Sequence, residues 1–236
     1  MYNTIIFDLD DTLTNDYENV KQGFKTILEY RNEFYTDKKF NRFYEIDKKT
    51  WRDRAAGKLT TPYEDDIQKK AEWLRAYRFL NYFNNTISYD EAVNINNIYM
   101  EALKQKVVPR EGALDIIKYL YDKKYKLIIA TNGPMVPLKT KLEKIDIDKY
   151  ISIVFSAEEV GAMKPHKDFY NGLFFKSGIT EKEDVLFIGD EIEKDIKGGI
   201  ENGIDTCWYN CNKQELVSKY IPKYEIHKLE DLKKIL

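Results

Sequence analysis

Apolar residues recur along this chain in two rhythms, and the change between them divides it. In the second half, short apolar or β-rich runs alternate with amphipathic stretches. The runs are KLIIAT (126–131), ISIVFS (151–156), DVLFIGD (184–190) and DTCWYN (205–210). Between them lie ALDIIKYLYDKK (113–124), PLKTKLEKI (137–145), HKDFYNGLFFKSG (166–178) and EKDIKGGIENG (193–203). Gly178 and Gly203 stand where helix C-caps are expected. Apolar strands alternating with helices predict a parallel sheet covered by helices on both faces. A further strand is predicted at the head of IIFDLDDTLT (5–14), and EIHKLEDLKKIL (225–236) predicts a last strand and helix.

Residues 15–108 keep a different rhythm. No strand is predicted there, whereas VKQGFKTILEYRNEF (20–34), AEWLRAYRFLNYF (71–83) and EAVNINNIYMEAL (91–103) carry helical periodicity dense in aromatics. A loop is expected where KLTTPYEDD (58–66) breaks the pattern. The expected organisation is therefore an α/β domain made of 1–14 and 109–236, interrupted after its first strand by a helical block at 15–108. Most of the block's aromatics are expected to form its core.

Composition narrows the function classes. The 236 residues, 43% hydrophobic and 33% charged, have the balance of a soluble protein with a real core. Lys and Arg number 38 against 40 acids, so net charge gives no pull toward nucleic acid or an anionic membrane. No apolar run reaches the roughly 20 residues of a membrane span. Without a basic stretch followed by an apolar core at its start, the chain reads as cytoplasmic. Two cysteines, Cys207 and Cys211, exclude a disulfide scaffold.

Ligands of open parallel sheets bind outside the carboxyl ends of the strands, and here those ends carry unusual residues. The first ends in Asp8 and Asp10, the second in Thr131-Asn132, and the fourth in Asp190; a loop after the third ends in Lys164-Pro165. Asp8 and Asp10 are two apart and would project to the same side of an extended backbone. Thr131, Asn132 and Gly133 offer a hydroxyl and backbone N–H groups to an anion. Each group also has an ordinary explanation. Asp-x-Asp occurs on solvated turns, Thr-Asn-Gly makes a turn, and Pro165 suits a first helical position with an exposed lysine ahead of it. Glu191, Glu193 and Asp195 suit a helix N-terminus. Chance would have to place all of them at successive strand ends, in order.

As a set, DLDDT (8–12), the strand ending in Thr131, Lys164-Pro165 and GDEIEKD (189–195) resemble the four motifs of the haloacid dehalogenase superfamily of phosphotransferases. That family's fold is a Rossmann-like sheet with a cap domain, and the helical block matches a cap inserted after the first strand. A narrower resemblance, to the bacterial pyrimidine 5′-nucleotidases of this superfamily, rests on EEVGAMKPHKDFY (158–170), residues 189–210, Trp51 and GKLTTPYE (57–64).

The resemblance implies a Mg²⁺-dependent phosphohydrolase acting on a small phosphate ester. Asp8 would be the nucleophile, forming an aspartyl-phosphate. Asp8, the backbone carbonyl of Asp10 and Asp190 would hold Mg²⁺. The Asp10 side chain would act as general acid and then base. Thr131, Asn132 and Lys164 would bind the phosphoryl group, Lys164 and Thr131 stabilising its charge. Asp195 would orient Lys164 or reach the metal through water, with Glu191 a weaker supporting group. In the cap, Trp51 could stack on a base, and Thr60, Thr61 and Tyr63 could supply polar readout. Sugar-phosphate phosphatase or phosphomutase activity is the nearest rival, and a non-catalytic binding protein on the same scaffold a remote one. Dehalogenase chemistry is disfavoured, because a halide leaving group needs no proton from Asp10.

Overall fold

The computed structural model describes residues 2–63, 66–133 and 135–236, leaving aside the side chains of Ala55, Ile67, Gln68, Ala71, Val136 and Pro137. The chain divides into two compact units, one of Met1–Asp16 with Val107–Leu236 and the other of Tyr17–Lys106.

The first unit is built on six strands: β1 (Thr4–Phe7), β2 (Lys126–Thr131), β3 (Ile153–Ser156), β4 (Val185–Gly189), β5 (Asp205–Tyr209) and β6 (Tyr224–Ile226). They form one sheet in the order β3-β2-β1-β4-β5-β6, and every pairing is parallel. Successive side chains on a strand face opposite sides, which explains why a continuous apolar run feeds two cores. Ile5, Phe7, Leu127, Ile129, Leu186 and Ile188 enter one cluster, together with Ile116, Ile117 and Leu120 of α5 (Ala113–Asp122) and Leu138 and Leu142 of α6 (Met135–Lys144). Ile6, Ile128, Ala130, Val185 and Phe187 enter the other, with Phe169, Tyr170, Leu173 and Phe174 of α7 (Lys167–Ser177). The sheet is thus wound on both faces.

The glycine caps stand where expected: Gly178 ends α7 in the left-handed conformation, and left-handed Gly203 closes α8 (Lys197–Glu201) just after Asn202, with Gly203 N and Ile204 N donating to Ile200 O and Gly199 O. Other local details differ from expectation. The segment ahead of α8 is a wide π turn, Ile192–Ile196. Pro165 does not open α7, which starts two residues later. The expected last strand and helix are β6 and a 3₁₀ helix, Leu229–Lys234.

The second unit contains α1 (Asp16–Tyr30) from its second residue onward, α2 (Asp37–Ala55), α3 (Ile67–Tyr82) and α4 (Tyr89–Gln105). Side chains of Thr36, Asp66 and Ser88 accept from backbone N–H groups three residues on and start α2, α3 and α4. The core is largely aromatic: Phe24, Phe40, Phe43, Phe79 and Tyr99 are fully buried. Within it lies an ion pair, Arg78 Nη1 to Asp47 Oδ1 at 2.7 Å, and Arg78 Nη2 also donates to Asn96 Oδ1 at 3.1 Å.

Where the first unit receives the insertion, its two connecting segments are tied to each other. Asn15 N donates to Val108 O (2.8 Å) and Arg110 N to Leu13 O (2.9 Å), with an antiparallel bridge between Thr14 and Pro109. Arg110 also donates to Asp11 Oδ1 at 2.8 Å. No helix among the described residues is long and apolar enough to cross a membrane.

Candidate active site

The site grows out of the carboxyl ends of three adjacent strands. Asp8 N donates to Ile188 O at 2.9 Å, extending the β1–β4 ladder one residue beyond Phe7. This carries Asp8 to the tip of β1, between Thr131 at the end of β2 and Asp190 just after β4.

Lys164 holds the centre together. It is only 4% exposed, in contrast to the solvent lysine that its position before proline suggested. Its ammonium donates to Asp8 Oδ1 (2.5 Å), Asp195 Oδ1 (2.7 Å) and Ala130 O (3.0 Å), which occupies all three hydrogens. Asn132 fixes the loop that delivers it. The Asn132 side chain accepts from Lys164 N at 2.7 Å and donates to Lys164 O at 3.3 Å. The Asn132 amide is therefore engaged with the lysine loop. Thr131 Oγ1 accepts from Gly133 N (2.9 Å), so its own hydrogen is available to another acceptor.

The remaining carboxylates surround this core. Asp195 is buried in the π turn, and its second oxygen accepts from Glu191 N at 3.0 Å. Asp190 Oδ1 accepts from Thr12 Oγ1 at 3.2 Å, and its carbonyl from Trp208 Nε1 at 2.9 Å. Asp10 Oδ1 pairs with Lys141 Nζ at 2.6 Å. Glu191 is not brought in; its carboxylate pairs with Lys194 at 2.6 Å on the surface.

Electrostatics follow from this crowding. Burial pushes Asp8 up from 3.8 to about 7, with Asp195 and Asp10 adding to the shift and Lys164 opposing it. Burial likewise raises Asp190 well above its ordinary value, reinforced by Asp195 and Asp8. Burial disfavours the charge on Lys164, but Asp195 and Asp8 outweigh it and hold the ammonium protonated.

Asp8, Asp190 and Asp195 each offer a carboxylate oxygen within 4.8 Å of the others. Among the described residues, the carboxylates of Asp8, Asp10, Asp190 and Asp195 stand against the ammonium groups of Lys141 and Lys164. An oxygen donor set with surplus negative charge fits a hard divalent cation.

The candidates of the helical unit differ in their surroundings. Trp51 on α2 is 38% exposed, with the Arg54 guanidinium 5.1 Å from its ring centroid. Thr60 is exposed, whereas Thr61 is buried and its hydroxyl accepts from Tyr63 N at 3.1 Å. The Tyr63 ring centroid lies 6.1 Å from that of Tyr89. Glu64 of the same segment lies outside the described residues. Lys141 lies outside the four motifs, whereas Thr12 and Gly189 stand within DLDDT and GDEIEKD as residues to which the motifs alone gave no role.

A doubly wound parallel sheet with acids and a lysine gathered at its carboxyl edge defines a class of hydrolases. The model for "haloacid dehalogenase-like hydrolase" matches residues 2–203, and the chain belongs to that family. Among relatives, it is 30% identical to the putative HAD-hydrolase YfnB of Bacillus subtilis, covering 100% of this chain and 95% of YfnB. It is 27% identical to the pyrimidine 5′-nucleotidase YjjG of Escherichia coli, over 98% of this chain and 96% of that protein. Pyrimidine 5′-nucleotidase PynA of Streptococcus pneumoniae is 29% identical over 98% and 93%. The crystal structure of YfnB bound to magnesium superposes with a TM-score of 0.86 at 29% identity, covering 100% of this chain and 98% of YfnB.

Proposed function

We propose that this hydrolase is a Mg²⁺-dependent phosphatase of nucleoside 5′-monophosphates, pyrimidine nucleotides above all, working through an aspartyl-phosphate on Asp8. The observation that carries the reading is the Lys164 ammonium held between Asp8 and Asp195 at the strand tips, beside Asp190. Relatives named as pyrimidine 5′-nucleotidases over nearly the whole chain support the substrate class.

Asp8, the Asp10 carbonyl and Asp190 are assigned to hold the metal, which supplies positive charge against the anionic phosphate when bound. The Asp8 carboxylate attacks phosphorus, and the bond from phosphorus to the nucleoside oxygen breaks with its electron pair on that oxygen. Asp10 gives that oxygen a proton, then takes one from the water that hydrolyses the aspartyl-phosphate. Lys164 and the Thr131 hydroxyl steady the charge on the transferring oxygens. Asp195 holds Lys164 in place, its two oxygens already being engaged with Lys164 and Glu191 N. We assign readout of the nucleoside to Trp51, Thr60, Thr61 and Tyr63.

The test is phosphate release from a panel of nucleoside monophosphates and sugar phosphates, with Mg²⁺ or a chelator, beside Asp8→Asn. Metal-dependent turnover of UMP, dUMP or dTMP well above the sugar phosphates, lost in the variant, is expected. A sugar phosphate turned over best would overturn the substrate assignment. Full activity in Asp8→Asn would overturn the mechanism.

A further inference from the structure

Residues 138, 141, 142 and 145 follow the i, i+3, i+4, i+7 spacing of one helical face. Leu138, Leu142 and Ile145 on that face are buried in the sheet's first core. The fourth position is Lys141. Its neighbour Lys139 faces water with a side chain 83% exposed, whereas the Lys141 side chain is 13% exposed. A lysine in an apolar stripe needs a partner for its charge, and the partner is Asp10 Oδ1 at 2.6 Å. Thr14 Oγ1 reaches the same oxygen at 3.4 Å. The other oxygen faces elsewhere: a β-carbon built on Gly133 would stand 3.3 Å from both Asp10 Oδ2 and Thr131 Oγ1.

The geometry points to Lys141 as a positioning residue. By anchoring Asp10 Oδ1 from α6, it aims Asp10 Oδ2 at the space beside Thr131 and Gly133, where the proton transfer occurs. The inference rests on the assignment of Asp10 as proton donor. Lys141 itself gives up no proton; it fixes one carboxylate oxygen so that the other delivers a proton to the ester oxygen as the phosphorus–oxygen bond breaks.

An acid is needed most when the leaving oxygen is a poor leaving group. The test therefore compares kcat/KM, which reports the step that expels the leaving group, for two esters. One is UMP, or the sugar phosphate that displaces it in the panel above; the other is p-nitrophenyl phosphate, whose phenolate leaves without help. Lys141→Met is expected to lower kcat/KM for the alkyl ester about 100-fold, within the usual range of acid–base contributions, and for the aryl ester less than about fivefold. Lys141→Arg is expected to restore most of the loss. In an Asp10→Asn background, Lys141→Met is expected to add almost nothing, since residues acting through one another are not additive.

Equal losses on both esters in Lys141→Met, or a full additional loss in the Asp10→Asn background, would overturn the inference and make Lys141 a phosphate-binding or structural group. Thermal melting of each variant separates misfolding from that outcome, with Lys141→Arg as the folded comparison. Failure of the underlying assignment shows separately, as equal losses on both esters in Asp10→Asn alone, and the inference falls with it.

Discussion

Gly189 and Asp195 are fitted to each other: a β-carbon on Gly189 would lie 2.3 Å from Asp195 Oδ2 and 2.5 Å from Asp195 Cβ. The last residue of β4 must lack a side chain for the π turn to lay its carboxylate against the strand. Gly189→Ala is expected to cost about 1–3 kcal/mol as an overpacked site, and to displace the acid that accepts from Lys164. Activity is then expected to fall much further than the melting temperature does. Both can be read on one preparation. A variant with full activity would separate Asp195 from the working of Lys164.

Stability should depend on pH in an unusual direction. The carboxyl of Asp8 lies at about 7 in the folded chain against 3.8 ordinarily, raised chiefly by burial, and Asp190 is raised as well. A group with a raised folded value binds protons more tightly when folded, so its contribution is complete below pH 3.8 and lost as pH climbs toward about 7. With a chelator present, the stability contributed by this cluster is expected to decline across that window. On the function proposed above, Mg²⁺ would take the place of the protons, so its stabilising effect is expected to be larger at pH 8 than at pH 5.5. Thermal melts at both pH values, with and without the ion, check this; a smaller Mg²⁺ effect at pH 8 would contradict it.

The buried pair in the helical unit gives a third expectation. Removing Arg78 leaves the Asp47 carboxylate buried without its cation, at a cost of about 3–5 kcal/mol. Replacing both at once, Asp47→Leu with Arg78→Met, is expected to recover most of that loss. Urea unfolding of the single and double variants decides it.

Trp51 carries the fourth. Base–aromatic stacking contributes about 1–3 kcal/mol, so Trp51→Ala is expected to raise the KM for UMP roughly tenfold or more. Because the ring is only 38% exposed and also lies 6.0 Å from the Arg78 guanidinium, the melting temperature is expected to fall as well, so KM is read below the transition of the variant. An unchanged KM would remove Trp51 from substrate recognition.

Legibility in the sequence varied with burial. KLIIAT and VLFIG stand out as strands because both faces of a parallel sheet are covered, which makes successive interior positions apolar instead of alternate ones. The order of the strands was not readable, since parallel partners lie far apart in sequence. The stretch of α2, inside the predicted helical block, shows little periodicity of its own for a specific reason. Its buried face runs Phe40, Phe43, Asp47, Thr50, and the third position is filled by the acid that pairs with Arg78. Polar residues at core positions erase the helical rhythm. Lys141 likewise interrupts the stripe of Leu138, Leu142 and Ile145 with a charge, and its partner Asp10 is far away in sequence. Asp8, Lys164, Asp190 and Asp195 are brought together as their motif order suggested, whereas Glu191 turns away to Lys194.

The hydrogen bonds joining Leu13–Asn15 to Val108–Arg110 have a consequence for how such a protein can change over time. Ninety residues enter and leave the sheet unit through two adjacent backbone segments already paired like the base of a hairpin. Because the two ends of the insertion already lie side by side, its length can change without altering where the flanking strands begin; on the function proposed above, selectivity would then vary with the insertion while Asp8, Lys164 and Asp190 keep their places.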